Sequence, residues 1–173
     1  MSLIFAVCEI EPGEDSVDRR DSTEVKLQRQ QLLPGTPAQV FPFFAEARNL
    51  ERITPPLLRF EVLTPDPIRM GAGTLIQYRL RVRGIRVRWL TVIKEWDPPH
   101  RFVDVQVKGP YKRWHHTHEF EEIEGGGTLM RDVVDYEVGY GPLGALADRV
   151  LVKRDLKRIF DFRAEAVATQ VGR

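Results

Sequence analysis

Residues 98–144 read PPHRFVDVQVKGPYKRWHHTHEFEEIEGGGTLMRDVVDYEVGYGPLG and carry the strongest structural signal in the chain. They contain three runs rich in β-branched and aromatic side chains, at 101–108, 113–122 and 128–138. The turn signals GPYK and EGGG separate these runs. Strands joined by such short turns pair antiparallel. The pattern therefore predicts three neighbouring strands of one antiparallel sheet.

The same kind of pattern extends toward the N-terminus. Alternation of apolar and polar residues predicts further strands at 23–33, 58–64, 73–83 and 85–96. Between the first two, Thr36 and Pro37 predict the start of a helix, and residues 49–54 form a second short helix that Pro55 ends. After GYGP, one helix runs from about 143 to 171 with an apolar stripe. The stripe comprises Leu146, Val150, Leu156, Ile159, Phe160 and Val167.

These elements predict an α+β fold, in which a curled seven-stranded antiparallel sheet wraps around a long C-terminal helix, with two short helices after the first strand. The chain has 173 residues, enough for one domain at 23–173, and the charged, aperiodic residues 1–22 are expected to form a mobile arm. A net charge of +1 does not indicate a nucleic-acid partner. No membrane insertion is expected, because no apolar run is long enough. Cys8 is the single cysteine, so an intrachain disulfide is excluded and a cytoplasmic location is expected.

The order of elements resembles the helix-grip fold of the START/Bet v1-like (SRPBCC) superfamily, and most closely its bacterial ligand-binding and polyketide cyclase/dehydrase-like branch. Residues 98–144 and the motif RDLKRIFDFR at 154–163 carry this resemblance, which covers about 23–170. The resemblance implies a ligand cavity between the sheet and the long helix. It does not fix an activity, since the superfamily includes lipid carriers, hormone-binding proteins, cyclases and oxygenase subunits.

Side-chain parity predicts which residues face this cavity. Across the hairpins, Tyr78 should meet Trp89, His118 should lie opposite Asp132 and near Asp104, and His116 should lie near Gln106. The expected apolar wall consists of Tyr78, Trp89, Phe102, Trp114, Phe120, Met130 and Tyr136. The expected polar groups are Asp104, Gln106, His116, His118 and Asp132, whereas His115 should point outward.

One strand conflicts with a simple core. On 101–108 the predicted outward residues Val103, Val105 and Val107 are more apolar than the inward ones. Two explanations stand: the interior is a partly polar pocket, or a one-residue bulge reverses the strand.

The three histidines of RWHHTHEF (113–120) allow three interpretations. His116 and His118 share a strand face and could bind a metal with Asp132 or Asp104, but no HExxH motif or nearby cysteine supports this, and no metal or other cofactor is expected. As a second interpretation, His118 paired with Asp132 or Asp104 acts as a general base in a cyclase or dehydratase. In the third, the same groups hydrogen-bond one another and orient a ligand.

Basic residues supply the remaining candidates. Arginines 79, 81, 83, 86 and 88 cover the outer face of one hairpin and could contact a macromolecule, although the near-neutral total charge and the lack of interleaved aromatics favour a solvated surface. On the long helix, Arg154 could reach the covered face and contact an anion, or remain at the surface. The primary expectation is a carrier or sensor of a small hydrophobic or aromatic molecule. The alternatives are a cyclase/dehydratase-type enzyme and a macromolecule-binding module, and the oligomeric state stays open.

Overall fold

A computed structural model describes residues 24–139 and 151–171. The predicted arm at 1–22, and the beginning of the predicted C-terminal helix before residue 151, lie outside the described residues. The proposed division into an arm and one domain therefore stays a prediction.

Seven strands form one antiparallel sheet, as predicted. They are β1 (Glu24–Leu33), β2 (Glu61–Val62), β3 (Leu75–Val82), β4 (Ile85–Asp97), β5 (Arg101–Lys108), β6 (Arg113–Glu122) and β7 (Thr128–Glu137). Their spatial order is β1-β7-β6-β5-β4-β3-β2. Strands β3 to β7 are thus joined by hairpins to their neighbours in space. The sheet and the long helix described below show the helix-grip fold.

The helices are α1 (Pro37–Phe44), α2 (Asn49–Arg52), a 3-10 turn (Pro56–Leu58) and α3 (Lys153–Val171). Helix α1 starts where Thr36 and Pro37 predict it, and the backbone N–H of Thr36 donates to Gln39 Oε1 at 2.9 Å. The buried residues Leu156, Phe160 and Val167 on α3 face the sheet. Two hydrogen bonds connect α3 to β1. Arg29 Nη2 donates to Asp161 Oδ1 at 2.8 Å, and Gln31 Nε2 donates to the Ala164 carbonyl at 2.7 Å.

The structure differs locally from the sequence prediction at two places. The strand expected at 58–64 is only two residues long, because Pro55 and Pro56 lead into a 3-10 turn that ends at Arg59 with φ 44°. In β4, the register with β5 shifts between Ile93 and Glu95. This β-bulge places Trp96 directly opposite Phe102 and against α1, where its ring contacts Phe41 at a centroid distance of 5.2 Å.

The β5 valines do not indicate a reversed strand. Asp104 faces the histidines of β6, so the even-numbered residues point inward as predicted. On the other face Val103 is fully buried, Val105 is half-buried and Val107 is exposed. The interior at β5 is therefore polar, and the pocket explanation is the correct one of the two.

Candidate functional site

A cavity of about 770 Å³ lies between the concave side of the sheet and α3. Five of the seven predicted wall residues line it: Tyr78, Trp89, Phe102, Trp114 and Met130. Aliphatic and aromatic residues complete the wall, among them Leu80, Ile93, Leu156, Ile159 and Phe160. The wall is therefore largely apolar, as is usual for small-molecule sites.

Two predicted wall residues do not line the cavity. Phe120 lies under α1, where its ring contacts Phe41 and Phe44 at centroid distances of 5.4 and 5.0 Å. Tyr136 is 1% exposed and packs against Trp114 and Tyr111. Both residues are on the inner face, as parity predicts, but they lie near strand ends that other parts of the fold cover.

Gln106 is also misplaced by the sequence prediction. Its side-chain amide donates to the Tyr111 carbonyl at 2.7 Å and accepts from the Tyr111 N–H at 3.3 Å, so it holds the β5–β6 loop instead of lining the cavity. The register is shifted accordingly, because Asp104, and not Gln106, pairs with His116. The expected contact between His116 and Gln106 was therefore wrong.

The inner face of β5, β6 and β7 carries a buried cluster of two imidazoles and two carboxylates, which we call the His–Asp cluster: Asp104, His116, His118 and Asp132. His118 Nε2 lies 3.0 Å from Asp104 Oδ2, and His116 Nε2 lies 3.0 Å from Asp132 Oδ1. The predicted proximity of His118 to both carboxylates is confirmed, as is its position opposite Asp132. Asp104 and both histidines line the cavity, whereas Asp132 lies behind them.

The remaining contacts in the cluster are close but less directional. His118 Nδ1 lies 2.7 Å from Asp132 Oδ1, yet the oxygen is poorly aligned with the ring N–H, and no aligned hydrogen bond reaches this nitrogen. His116 Nδ1 lies 3.4 Å from Asp104 Oδ2. The two imidazole centroids are 3.8 Å apart, and the ring of Phe102 stacks on His118 at 4.0 Å. Each imidazole thus lies between the two carboxylates.

Burial and the charges of neighbouring side chains shift the pKa values of these four groups, in most cases in opposite directions. Burial lowers the pKa of His118, but the charge of Asp132 and the contacts with Asp104 outweigh it, so this pKa lies above its usual value. Burial and the neighbouring His118 charge lower the pKa of His116. For Asp104 and Asp132, burial is outweighed by the two histidines, and both pKa values fall below the usual range. These shifts keep both carboxyl groups ionised at neutral pH and favour protonation of His118 over protonation of His116.

Arg163 of α3 also lines the cavity, and the sequence interpretation assigned it no role. Its guanidinium lies 5.1 Å from the Phe160 ring centroid, its Nε is buried without a hydrogen-bond partner, and its charge helps to lower the pKa of Asp104. Arg154, the helix arginine considered for this face, is exposed. The spacing of Leu156, Phe160, Arg163 and Val167 puts Arg163 in the apolar stripe, which was the signal available in the sequence.

Tyr78 of β3 supplies a neutral polar group on the sheet side of the cavity. Its hydroxyl lies 2.9 Å from Thr91 Oγ1, and burial together with the charge of Asp104 raises its pKa. Tyr78 is therefore un-ionised at neutral pH and available as a hydrogen-bonding group.

Among the described residues, Asp104, His116 and His118 each offer one possible metal-ligand atom, and these atoms lie within 4.8 Å of one another. In the part of the chain that the structure describes, no helix is both long and apolar enough to cross a membrane.

Comparison with known proteins places this geometry in context. Residues 24–172 match the family model described as "Polyketide cyclase / dehydrase and lipid transport". The protein TTHA0849 from Thermus thermophilus is similar in structure, with a TM-score of 0.66 and 26% identity over 86% of this chain and 96% of that chain. A search of curated proteins finds no significant match.

Two more distant structures share the fold. The ZhuI aromatase/cyclase from Streptomyces sp. R1128 has a TM-score of 0.70 at 15% identity, over 87% of this chain and 94% of that one. A START superfamily protein from Mycobacterium smegmatis has a TM-score of 0.61 at 13% identity, over 85% and 97%.

Proposed function

Because the chain belongs to the polyketide cyclase/dehydrase and lipid transport family, within the START/Bet v1-like superfamily, we propose that it binds a small hydrophobic molecule carrying one anionic oxygen group. The observation that carries the proposal is the cavity of about 770 Å³, whose apolar wall contains a buried polar cluster. This volume is typical of sites that enclose a drug-sized ligand. A carrier or sensor role follows from such binding.

The anionic group is inferred from Arg163. Its Nε is buried without a hydrogen-bond partner, and none of the ion pairs among the described residues involves it. A buried donor without a partner costs about 1–3 kcal/mol, which a ligand oxygen can recover. Bound there, the ligand would extend its apolar part along Tyr78, Trp89 and Trp114.

A cyclase or dehydratase is the second candidate, because His118 lines the cavity between two carboxylates. Removal of a proton next to a carbonyl and loss of a β-hydroxyl as water would suit such a site. However, both ring nitrogens of His118 already face carboxylates at 3.0 and 2.7 Å. His118 would have to leave Asp104 before it could exchange a proton with a substrate, so binding is the function that the geometry supports better.

The binding proposal can be tested with 1-anilinonaphthalene-8-sulfonate, an apolar fluorophore with one anionic group. Ile159 lines the cavity from α3 and is half-buried, so Ile159→Trp should fill the space and abolish the fluorescence gain. Glu165→Trp, at an exposed position of the same helix, is the matched control and should bind normally. Arg163→Gln should weaken binding by about 10- to 150-fold, since one charge-assisted hydrogen bond contributes about 1.5–3 kcal/mol.

Undiminished binding in Ile159→Trp would contradict the proposal, provided that far-UV circular dichroism shows a folded protein. Independently of this test, native mass spectrometry of protein purified from its host would identify any natural ligand. His118→Ala separates the two functions: in a carrier it should weaken binding by about 1–3 kcal/mol. In an enzyme it should reduce formation of a conjugated product from a β-hydroxyacyl thioester by roughly two to four powers of ten, with binding retained.

The outer arginines and the cellular location stay predictions. We expect no specific nucleic-acid binding at physiological salt, which a filter-binding titration over several salt concentrations would check. Fractionation of host cells would test the cytoplasmic location expected from the single cysteine.

A further inference from the structure

Three potential ligand atoms of the His–Asp cluster converge on one point at the cavity wall. Asp104 Oδ2 lies 3.4 Å from His116 Nδ1 and 3.0 Å from His118 Nε2. Metal–ligand bonds of about 2.0–2.1 Å place neighbouring ligands about 2.9 Å apart at octahedral angles and about 3.4 Å apart at tetrahedral angles. Both observed separations agree with this range. Two of the three separations therefore already match a coordination shell, and the third, between the two ring nitrogens, lies within 4.8 Å.

Asp132 contacts the opposite side of both imidazoles. Its Oδ1 lies 3.0 Å from His116 Nε2 and 2.7 Å from His118 Nδ1, the nitrogens that do not face Asp104. A carboxylate behind a metal-binding histidine accepts the second ring N–H and so fixes the tautomer and the ring orientation. Asp132 Oδ1 has an aligned contact of this kind with His116 Nε2, and a small rotation of the His118 ring would align its Nδ1–H with the same oxygen. With those protons directed at Asp132, the lone pairs of His116 Nδ1 and His118 Nε2 point toward Asp104.

This arrangement requires a positive species at the point of convergence. When His116 donates its Nε2 proton to Asp132, its Nδ1 presents a lone pair to the Asp104 carboxylate in a buried site. Two acceptors facing each other without a donor are unfavourable where water cannot separate them. A proton on His118 Nε2 satisfies one of the two contacts with Asp104. A cation bound by all three atoms satisfies both contacts.

We propose that Asp104, His116 and His118 bind one divalent transition-metal ion, with Asp132 holding both imidazoles from behind. Two imidazole nitrogens and one carboxylate oxygen suit Zn²⁺, Fe²⁺ or Co²⁺, whereas Mg²⁺ and Ca²⁺ prefer oxygen ligands. The three ligand residues line the cavity, so the open coordination position faces it. A water molecule, or an oxygen of a molecule in the cavity, would complete the shell.

This proposal departs from the sequence-based expectation of no metal. The absence of HExxH and of cysteines near the histidines led to that expectation, but a strand provides another route. Residues i and i+2 of β6 project to the same side, and β5 brings Asp104 directly opposite His116. The proposal goes beyond ligand binding and does not depend on it, because the metal test needs no organic molecule.

The experiment uses the full chain with Cys8→Ser, which removes the single thiol, after dialysis against EDTA. Competition with a chromophoric chelator should show one Zn²⁺ per chain. Co²⁺ should give visible absorption bands typical of a site with nitrogen and oxygen ligands. His118→Ala and Asp104→Asn should each weaken Zn²⁺ binding at least 100-fold, and Asp132→Asn about 10- to 100-fold.

His115→Ala is the matched control, since His115 lies on the same strand but on the other face. It should leave affinity and the Co²⁺ spectrum unchanged. If the ligand variants are unstable, Zn²⁺ should still raise the thermal midpoint of the Cys8→Ser protein and of His115→Ala by the same amount. Failure of the Cys8→Ser protein to bind stoichiometric Zn²⁺, equal affinity in Asp104→Asn, or loss of binding in His115→Ala would each overturn the proposal.

Discussion

The two faces of the sheet carry charged groups in different ways. On the inner face, the four members of the His–Asp cluster are buried or nearly so, and every ring nitrogen faces a carboxylate within 3.4 Å. On the outer face of the β3–β4 hairpin, Arg79 is directly opposite Arg88 and Arg81 is directly opposite Arg86. Like charges are thus neighbours on the outer face, whereas within the His–Asp cluster each charged group lies beside a group of opposite charge.

Solvent explains the difference. Water and salt screen the outer arginines, of which Arg86 and Arg88 are exposed and Arg79 has a carboxylate partner in Glu61. The inner groups have no such screening, so a charge there is stable only with a counter-charge beside it. Sequence changes should therefore have large effects on one face and small effects on the other.

The largest effect should come from Asp132→Asn. This change leaves the buried His118 side chain, whose pKa is raised, with one carboxylate fewer, and removal of one partner from a buried pair costs about 3–5 kcal/mol. Urea unfolding of the metal-free protein would measure the loss. Asp135→Asn is the matched control on the same strand, where a single distant contact with Lys26 at 3.7 Å predicts a loss under about 1 kcal/mol. Equal losses would remove the contrast between the faces.

The next largest effect is a loss of stability that depends on pH for a substituted histidine and not for a substituted arginine. The raised pKa of His118 means that its contribution to stability is fully present below its unfolded-state value of 6.5 and is lost as the pH rises through the folded-state pKa. His118→Gln in metal-free protein should therefore cost roughly 3 kcal/mol at about pH 5.5 and less at about pH 9. Thermal melts at both pH values would show it. The cost of Arg86→Gln should not change over this range, and a pH-independent cost for His118→Gln would contradict the assignment.

Loss of the buried, uncharged hydrogen bond between Tyr78 and Thr91 should have an intermediate effect on stability. Tyr78→Phe removes the partner of Thr91, whose side chain is 3% exposed, and leaves its hydroxyl unsatisfied. We expect a loss of about 1–2 kcal/mol in chemical unfolding. The double variant Tyr78→Phe/Thr91→Val should lose less than Tyr78→Phe alone, because no unpaired hydroxyl then remains. A greater loss in the double variant would argue against this hydrogen bond as the cause.

The smallest effect concerns the outer arginines. Arg88→Glu replaces a repulsive cross-strand pair with an attractive one opposite Arg79, and should stabilise the protein by about 0.2–1 kcal/mol. Adding 1 M salt should remove most of this gain, because screening then acts within about 3 Å. A gain that persists in high salt would have to come from packing instead of charge.

The fold followed from the sequence because its signals are local and repeated. Alternating residues and glycine-containing turns fixed β3 to β7 to within two residues at each end, and parity placed His116, His118 and Asp132 on one face. Prediction failed where the backbone departs locally from a regular strand. The bulge in β4 and the short β2 depend on backbone geometry that alternation does not report.

The sequence predicted most residues of the candidate site, but not which of them line the cavity or which pairs are in contact. Parity assigns a face, yet Phe120 and Tyr136 show that the inner face includes positions covered by other parts of the fold. The two-residue shift in register between β5 and β6, which places Asp104 instead of Gln106 opposite His116, depends on the conformation of the loop that Gln106 holds. Arg163 was visible as a polar interruption of the α3 stripe, but only the packing of α3 on the sheet shows where it points.

The attachment of α3 to the sheet is unequal on its two sides. Toward β1, Arg29 and Gln31 hold the middle of the helix through two part-buried hydrogen bonds. Toward the β3–β4 turn, the ion pair between Arg83 and Asp155 is exposed, and both residues border the cavity. Such a pair contributes only about 0–1 kcal/mol. We therefore expect a molecule to enter the cavity more readily past the exposed Arg83–Asp155 pair than past β1, because fewer buried contacts must break on that side.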